Sequence, residues 1–177
     1  MNIKHLDPKV KERLDTIVEK EFKVVVGDAD GADASIQTYL ADSCAKYATV
    51  YCSGPIPRNN IGDWQVCSVD AKYAPGTRAF FTAKDIEMAR VADYGLMIWD
   101  TKSTGTLSNV IELLRQKKKA LVFVNKEKVF VSVGDVHQLQ ELVTHMSEHA
   151  MNKADEKIGL RVKINELKHE QSDFFAH

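Results

Sequence analysis

Residues 23–33 read Lys-Val-Val-Val-Gly-Asp-Ala-Asp-Gly-Ala-Asp. The valine run is typical of a buried parallel strand, and the small and acidic residues after it end that strand. Gly27 and Gly31 accept backbone conformations that other residues avoid, and they let a ligand approach the main chain. A helix is predicted to follow, so its free amide groups face the same loop. The stretch therefore predicts an α/β protein with a ligand site at this loop.

Three carboxylates limit what this loop can bind. Asp28, Asp30 and Asp33 would repel a phosphate placed on the helix amides, although those amides favour an anion. At least one carboxylate is therefore expected to meet a sugar hydroxyl, a base or a metal. The loop alone does not choose among these three.

Length and charge set the class of protein. The 177 residues are enough for one domain with a sizeable core, and we predict a domain over 1–150 followed by a charged helix or tail over 151–177. With a formal net charge of −1, the chain lacks the overall positive charge that is typical of a nucleic-acid binder. We therefore expect no nucleic-acid partner.

Cysteine usage and hydropathy predict a compartment. The three cysteines form no C-x-x-C pair, which indicates reduced thiols rather than a disulfide framework. No apolar leader opens the chain, and no run approaches the roughly 20 apolar residues of a membrane span. We expect a soluble cytoplasmic protein without membrane contact, cofactor or resident metal.

Hydrophobic periodicity predicts alternating helices and strands, and hence a mainly parallel sheet. The predicted helices cover 8–20, 34–46, 82–91, 106–117 and 136–146, and the predicted strands cover 24–26, 48–52, 94–99 and 120–124, with an edge strand within 126–133. Residues 53–82 show no convincing long element. A connection of that length is usually functional or mobile.

A second polar loop, residues 100–106, follows the predicted strand 94–99. Asp100, Ser103, Thr104 and Thr106 supply polar side chains, and Gly105 with the next helix start completes an anion cradle. In an open parallel sheet, ligands lie beyond the carboxyl ends of the strands. We therefore expect the two loops to face a common pocket.

Five further side chains have chemistry that is relevant to a ligand site. Arg58 offers a guanidinium for phosphate, Asn60 an amide for a base edge, and Trp64 a stacking surface. Lys84 is a candidate phosphate neutraliser, with a solvated helix face as the competing interpretation. Trp99, at the end of a core strand, is predicted to pack rather than stack on a ligand.

The segment 145–149 fits the H-x-x-E-H zinc signature, in which two histidines one helical turn apart bind metal. A third ligand is missing, Met146 continues the apolar stripe, and the segment lies away from the strand-end loops. We interpret His145 and His149 as two residues on a solvated helix face.

The order of motifs resembles the superfamily of DNA-processing protein A and the lonely guy phosphoribohydrolases (the SLOG-like superfamily) over residues 22–125. It comprises a strand, Gly-x-x-x-Gly-x-Asp, a helix, a strand, a long loop, Ala92-Asp93, an apolar strand and a Gly-Thr loop. The most similar members are small uncharacterised Rossmann-like proteins with a Gly-Gly-Ala-Arg-Gly-Ala-Asp-like motif. The resemblance implies a Rossmann-like three-layer sandwich, a homodimer, and binding of nucleotides or nucleotide-derived molecules.

The phosphoribohydrolase motif transfers only in part. The family's Arg-Lys pair falls on Lys84 and Asp85, and its Gly-Thr falls on Gly105 and Thr106, but its glutamate falls on Asn109. Relatives also begin with a strand ending in Gly-Ser-Arg, for which residues 1–6 are too short. A partner subunit completing the sheet edge is one hypothesis.

Two functions follow as expectations. The first is binding of a nucleotide-like molecule without turnover, and the alternative is an N-glycosidic-bond hydrolase or deoxyribosyltransferase-like enzyme. A scaffold with a vestigial pocket is a weaker third. The catalytic residue stays open, with candidates Asp28, Asp30, Asp85 and Asp100. The predicted ligand set is Gly27, Asp28, Gly31, Asp33, Ser53, Arg58, Asn60, Lys84, Asp100, Ser103, Gly105, Thr106 and Asn109.

Overall fold

The computed structural model describes residue 3, residues 5–70 and residues 72–175, the last five by backbone alone. The described chain is mixed α/β, which confirms the predicted class. Its elements are α1 Pro8–Glu19, β1 Val24–Gly27, α2 Ala32–Asp42, β2 Ala48–Ser53, β3 Gln65–Val69, α3 Arg78–Val91, β4 Tyr94–Trp99, α4 Thr104–Arg115, β5 Lys119–Val124, β6 Val129–Val133, α5 Val136–Val143, α6 Glu148–Ile158 and α7 Leu160–Phe175.

The chain forms two compact units, residues 1–92 (unit 1) and 93–177 (unit 2). Unit 1 contains a three-stranded sheet of order β1-β2-β3, in which both pairs are parallel. Gly27 at the end of β1 pairs with Tyr51, so β1 and β2 finish at the same edge of this sheet. The loops after these two strands therefore meet inside unit 1.

Unit 2 contains the order β4-β5-β6, with β4 and β5 parallel and β5 and β6 antiparallel. Trp99 pairs with Val124, so the loops after β4 and β5 also share one edge. The predicted edge strand is confirmed as β6. Leu160, Ile164 and Leu167 of α7 are buried, and α7 packs against α4, α5 and α6.

Local chemistry explains two helix starts. Asp7 caps α1 by accepting the Lys9 amide at 3.0 Å, and Pro8 stands at the first turn, where its missing N–H costs nothing. Gly31 precedes α2 with φ 86°, a conformation that favours glycine. The glycine predicted to shape this loop therefore does so.

Three sequence predictions were wrong. Residues 53–82 contain β3 and the first turn of α3, which begins at Arg78 rather than residue 82. β3 was not predicted because its alternation of apolar and polar residues is weak. It is an edge strand that carries exposed polar residues. The predicted helix 136–146 stops at Val143. Residue 3 and residues 5–7 hold no strand, which agrees with the prediction that this segment is too short for one, and Ser35 donates a hydrogen bond to the Ile3 carbonyl.

In the described part of the chain, no helix has the length and hydropathy needed to cross a bilayer.

Candidate functional site

Asp28, the first residue after β1, is only 2% exposed. Its carboxylate accepts three hydrogen bonds from Arg58: the backbone amide and Nε reach Oδ2 at 3.0 and 3.1 Å, and Nη2 reaches Oδ1 at 2.8 Å. A bidentate guanidinium–carboxylate pair is among the strongest polar contacts in proteins. Arg58 is thus fixed in orientation by a residue thirty positions earlier.

Lys84 brings a buried ammonium from α3 to the same place. The residue is 4% exposed, and its Nζ lies 2.8 Å from Asp85 Oδ1, 3.8 Å from Asp33 Oδ2 and 3.9 Å from Asp28 Oδ1. We call Asp28, Asp33, Arg58, Lys84 and Asp85 the charge cluster. Four of these five residues belong to the predicted ligand set, and Asp85 was a candidate catalytic acid.

Gly27 leaves the space that the charge cluster occupies. A Cβ atom on Gly27 would lie 2.2 Å from Asp33 Oδ2 and 2.7 Å from Lys84 Nζ, well inside van der Waals contact. Any side chain at position 27 would therefore displace Asp33 and Lys84 from each other.

The charge cluster pushes the pKa values of its two central carboxyls in opposite directions. Burial alone would raise the pKa of Asp28, but the hydrogen bonds and charge of Arg58, with the charge of Lys84, hold it below its usual value. Burial raises the pKa of Asp33, which Lys84 and the Ala29 amide only partly offset. Burial would lower the pKa of Lys84, but Asp85, Asp33 and Asp28 raise it. The lysine is therefore charged at neutral pH.

These shifts predict a pH dependence of stability. The pKa of Asp28 in the folded state lies below its unfolded value of about 3.9. The contribution of Asp28 to the free energy of unfolding is therefore complete above about pH 3.9, and it is lost as the pH falls through the folded pKa. Asp33 has the opposite sign: its folded pKa is raised, so acidification through that pKa towards about 3.9 adds stability. We expect urea midpoints that rise slightly on mild acidification and then fall.

Two variants separate the contributions in that pH series. Asp33→Asn should remove the mild-acid rise, and Asp28→Asn should flatten the fall below about pH 3.9. A wild-type acid slope retained in Asp28→Asn would contradict the assignment.

Gln37 and Asn59 hold the long loop against β1. Gln37 is fully buried; its Nε2 donates to the carbonyls of Gly27 at 2.8 Å and Asn59 at 3.2 Å, and its Oε1 accepts the Ile61 amide at 2.9 Å. Asn59 Nδ2 donates at 2.9 Å to the Asp28 carbonyl and to Asp30 Oδ1. Gln37 was missed in the sequence, although a glutamine four residues after Asp33 lies on the same helix face.

The other predicted residues of unit 1 have identifiable partners. Both ends of the Asn60 amide bind the Trp64 backbone at 2.8 and 3.0 Å, and Trp64 Nε1 donates to the Ala45 carbonyl at 2.9 Å. The guanidinium of Arg58 lies over the Phe81 ring, 4.7 Å from its centroid. Phe81 was not anticipated, and base recognition by Asn60 and Trp64 stays a prediction.

Ser53 ends β2 and was predicted as a ligand residue. Among the described residues, its Oγ is buried and has no hydrogen-bond partner. Unpaired buried hydroxyls are uncommon in folded proteins. The end of β2 therefore carries a buried hydroxyl that forms no hydrogen bond with the described residues.

The second predicted loop lies in unit 2. Asp100 Oδ1 accepts the amides of Lys102 at 3.0 Å and Ser103 at 2.6 Å, and Ser103 precedes α4 as its cap residue. The side chains of Thr106 and Asn109, on α4, make no hydrogen bond to the described residues. A Cβ atom on Gly105 would meet only Ser103 Oγ, at 3.9 Å. Asp100 thus orders the loop, and its ligand role stays a prediction.

The structure gathers the unit 1 residues Asp28, Asp33, Arg58 and Lys84, with Gly27 beneath them and Gly31 opening α2. Asp100, Ser103, Gly105, Thr106 and Asn109 belong to unit 2, so the common pocket stays a prediction. A cavity of about 440 Å³ in unit 1 lies beside α1 and α2 rather than over the charge cluster, and Gly31 is the predicted residue that lines it. The chemistry of the charge cluster, not cavity size, identifies the candidate site.

The zinc-like segment 145–149 does not form one helix face, so that interpretation was wrong. α5 ends at Val143, and Ser147 caps α6 by accepting the Ala150 amide at 3.2 Å. His145 lies between the two helices, with Nδ1 2.8 Å from Glu127 Oε2. Within residues 3, 5–70 and 72–175, no three histidine, cysteine or acidic side chains are grouped to hold a metal ion.

A scan against protein-family models, a search of curated proteins and a search of solved structures each return no match to the chain.

Proposed function

We propose that unit 1 binds an anionic nucleotide or nucleotide-derived small molecule beyond the carboxyl ends of β1 and β2. The observation that carries this proposal is the hydrogen bonding and exposure of the Arg58 guanidinium. Asp28 uses Nε and Nη2, while Nη1 has no hydrogen-bond partner among the described residues. The side chain is 40% exposed, so this end of the guanidinium is open to solvent.

A fixed, half-exposed guanidinium is suited to a phosphate group. Asp28 and the Phe81 ring hold the plane of Arg58, so little side-chain freedom is lost when an anion binds. The planar fork matches phosphate oxygens, and charge-assisted hydrogen bonds are about twice as strong as neutral ones. Arg58 would therefore hold the phosphate.

An exposed carboxylate beside this cation favours a nucleotide over a bare phosphate. Asp30 is exposed, and Asn59 fixes one of its oxygens at 2.9 Å. Acidic side chains near a phosphate site accept hydrogen bonds from ribose hydroxyls in many α/β nucleotide-binding proteins. Asp30 would accept a hydrogen bond from a ribose hydroxyl. The acidic loop is therefore compatible with an anionic ligand.

The proposal also covers the superfamily, the fold, the oligomeric state and the location that are expected from the sequence. We place the chain in the SLOG-like superfamily, with a Rossmann-like three-layer sandwich, a homodimer and a cytoplasmic location. The parallel order β1-β2-β3, the parallel pair β4–β5 and the alternation with helices support such a fold.

One observation favours the alternative, an N-glycosidic-bond hydrolase or transferase. Enzymes of that class use carboxyl groups whose environments separate their pKa values, and Asp28 and Asp33 are shifted in opposite directions. Both Asp28 oxygens are occupied by Arg58, whereas the Asp33 side chain is 30% exposed. Asp33 would be the general acid, and release of free base that is abolished in Asp33→Asn would support this alternative.

Isothermal titration with AMP, ADP and ADP-ribose tests the binding proposal. We expect saturable binding of at least one nucleotide, weakened about tenfold or more in Arg58→Gln and less in Arg58→Lys, which keeps the charge. Arg90→Gln is the matched control, since Arg90 pairs with Glu87 on α3 of the same unit. An equal loss in Arg90→Gln, or no binding of any nucleotide by the wild type, would contradict the proposal.

A further inference from the structure

Unit 2 contains a separate cavity of about 270 Å³ at the carboxyl ends of β4 and β5. Thr101 and Lys102 line it from the loop after β4, Asn125 and Lys126 from the turn after β5, and His145 and Ser147 from the connection between α5 and α6. The volume lies just below the usual range for small-molecule sites, about 300–1,000 Å³. The cavity therefore suits a small ligand.

Thr101 gives the clearest sign that this cavity is built for a ligand. The residue is 5% exposed, yet its hydroxyl makes no hydrogen bond to the described residues. It also has φ 65°, which is unusual for a β-branched residue. The Thr101 hydroxyl oxygen is not itself buried, so a ligand or a water molecule in the cavity can reach it.

The remaining polar atoms of the cavity are mostly donors. Asn125 Oδ1 accepts from Lys128 Nζ at 3.1 Å, which leaves its Nδ2 without a partner among residues 3, 5–70 and 72–175. Lys102 and Lys126 form no ion pair within those ranges, and Asp100 Oδ1 is occupied by two backbone amides. Two lysines, an asparagine and a threonine therefore line the cavity together with one carboxylate, Asp100, whose Oδ1 is engaged by backbone amides.

We propose that this cavity binds the phosphate group of a small molecule, independently of the site in unit 1. Phosphate has enough oxygens to accept from Thr101, Asn125 and both lysines at once, whereas a planar carboxylate has two. His145 Nδ1 lies 2.8 Å from Glu127 Oε2, so Nε2 is the ring nitrogen left without a partner in the described chain. Glu127 is a positioning residue for this ring.

The test is an NMR titration of the full chain with inorganic phosphate, following the His145 ring signals, which His145→Gln assigns. Sodium chloride and sodium acetate at matched ionic strength are the comparison arms. We expect a saturable shift with phosphate alone, weakened about tenfold in Lys126→Gln and severalfold in Thr101→Val, with Thr101→Ser close to wild type.

Two controls complete the titration. Lys153→Gln, at an exposed position of α6, should leave phosphate affinity unchanged. Arg58→Gln should also leave it unchanged, which separates this proposal from the function of unit 1. A shift that does not saturate, that chloride or acetate reproduces, or that Lys126→Gln and Lys153→Gln affect equally would overturn the proposal.

Discussion

Replacing Lys84 with methionine is expected to lower the free energy of unfolding by about 3 kcal/mol. Methionine keeps much of the apolar length of lysine, but it leaves three carboxylates grouped around a neutral side chain. Breaking a buried ion pair usually costs about 3–5 kcal/mol, and the lower value applies because Asp33 and Asp85 are 30% and 25% exposed. Urea denaturation at neutral pH measures the change.

Lys46→Met is the matched control, because Lys46 is exposed and lies in the same unit. Its effect should stay within about 0.5 kcal/mol. Adding Asp33→Asn to Lys84→Met should recover part of the loss, since one of the uncompensated charges is removed. A loss below about 1 kcal/mol in Lys84→Met, with no recovery in the double variant, would show that the charge cluster does not depend on its lysine.

Replacing Trp99 with alanine is expected to cost about 4 kcal/mol. Trp99 is fully buried at the end of β4, and its Nε1 donates to the Ser103 carbonyl at 3.1 Å. Alanine leaves a large cavity in unit 2 and releases the loop before α4. Trp99→Phe should cost clearly less, because most of the buried ring volume is retained and mainly the hydrogen bond is lost.

Urea denaturation of the two Trp99 variants, with near-ultraviolet circular dichroism to follow tertiary packing, checks this prediction. Equal costs for alanine and phenylalanine would mean that the hydrogen bond, not the packing, stabilises this strand end. The full burial of Trp99 confirms the prediction that it packs in the core rather than stacking on a ligand.

The sequence predicted the elements whose pattern is local. β1 and β4 were found because each is an apolar run that ends in polar residues. Asp135 caps α5 by accepting the Gln138 amide at 2.8 Å. β3 was missed because an edge strand carries little apolar alternation. The end of α5 was misplaced because Met146 continues the helical stripe beyond the last helical residue, Val143.

In the candidate site, single residues could also be predicted from local patterns, but their contacts with each other could not. Asp28, Arg58 and Lys84 were each named from local chemistry, but their mutual contacts join residues 28, 58 and 84, and no short motif encodes such distant pairing. Gln37 was overlooked because a single glutamine on a helix face gives no sign that it will bind a strand end and a loop together.

A crystal structure of the chain with a bound nucleotide tests the role of Arg58 as the phosphate-binding residue. The nucleotide that binds most tightly in the titration series would be soaked into crystals of the full chain. We expect a phosphate oxygen about 3 Å from Arg58 Nη1, with a ribose hydroxyl donating a hydrogen bond to Asp30. A nucleotide bound elsewhere, with Arg58 contacting only Asp28 and Phe81, would contradict this role.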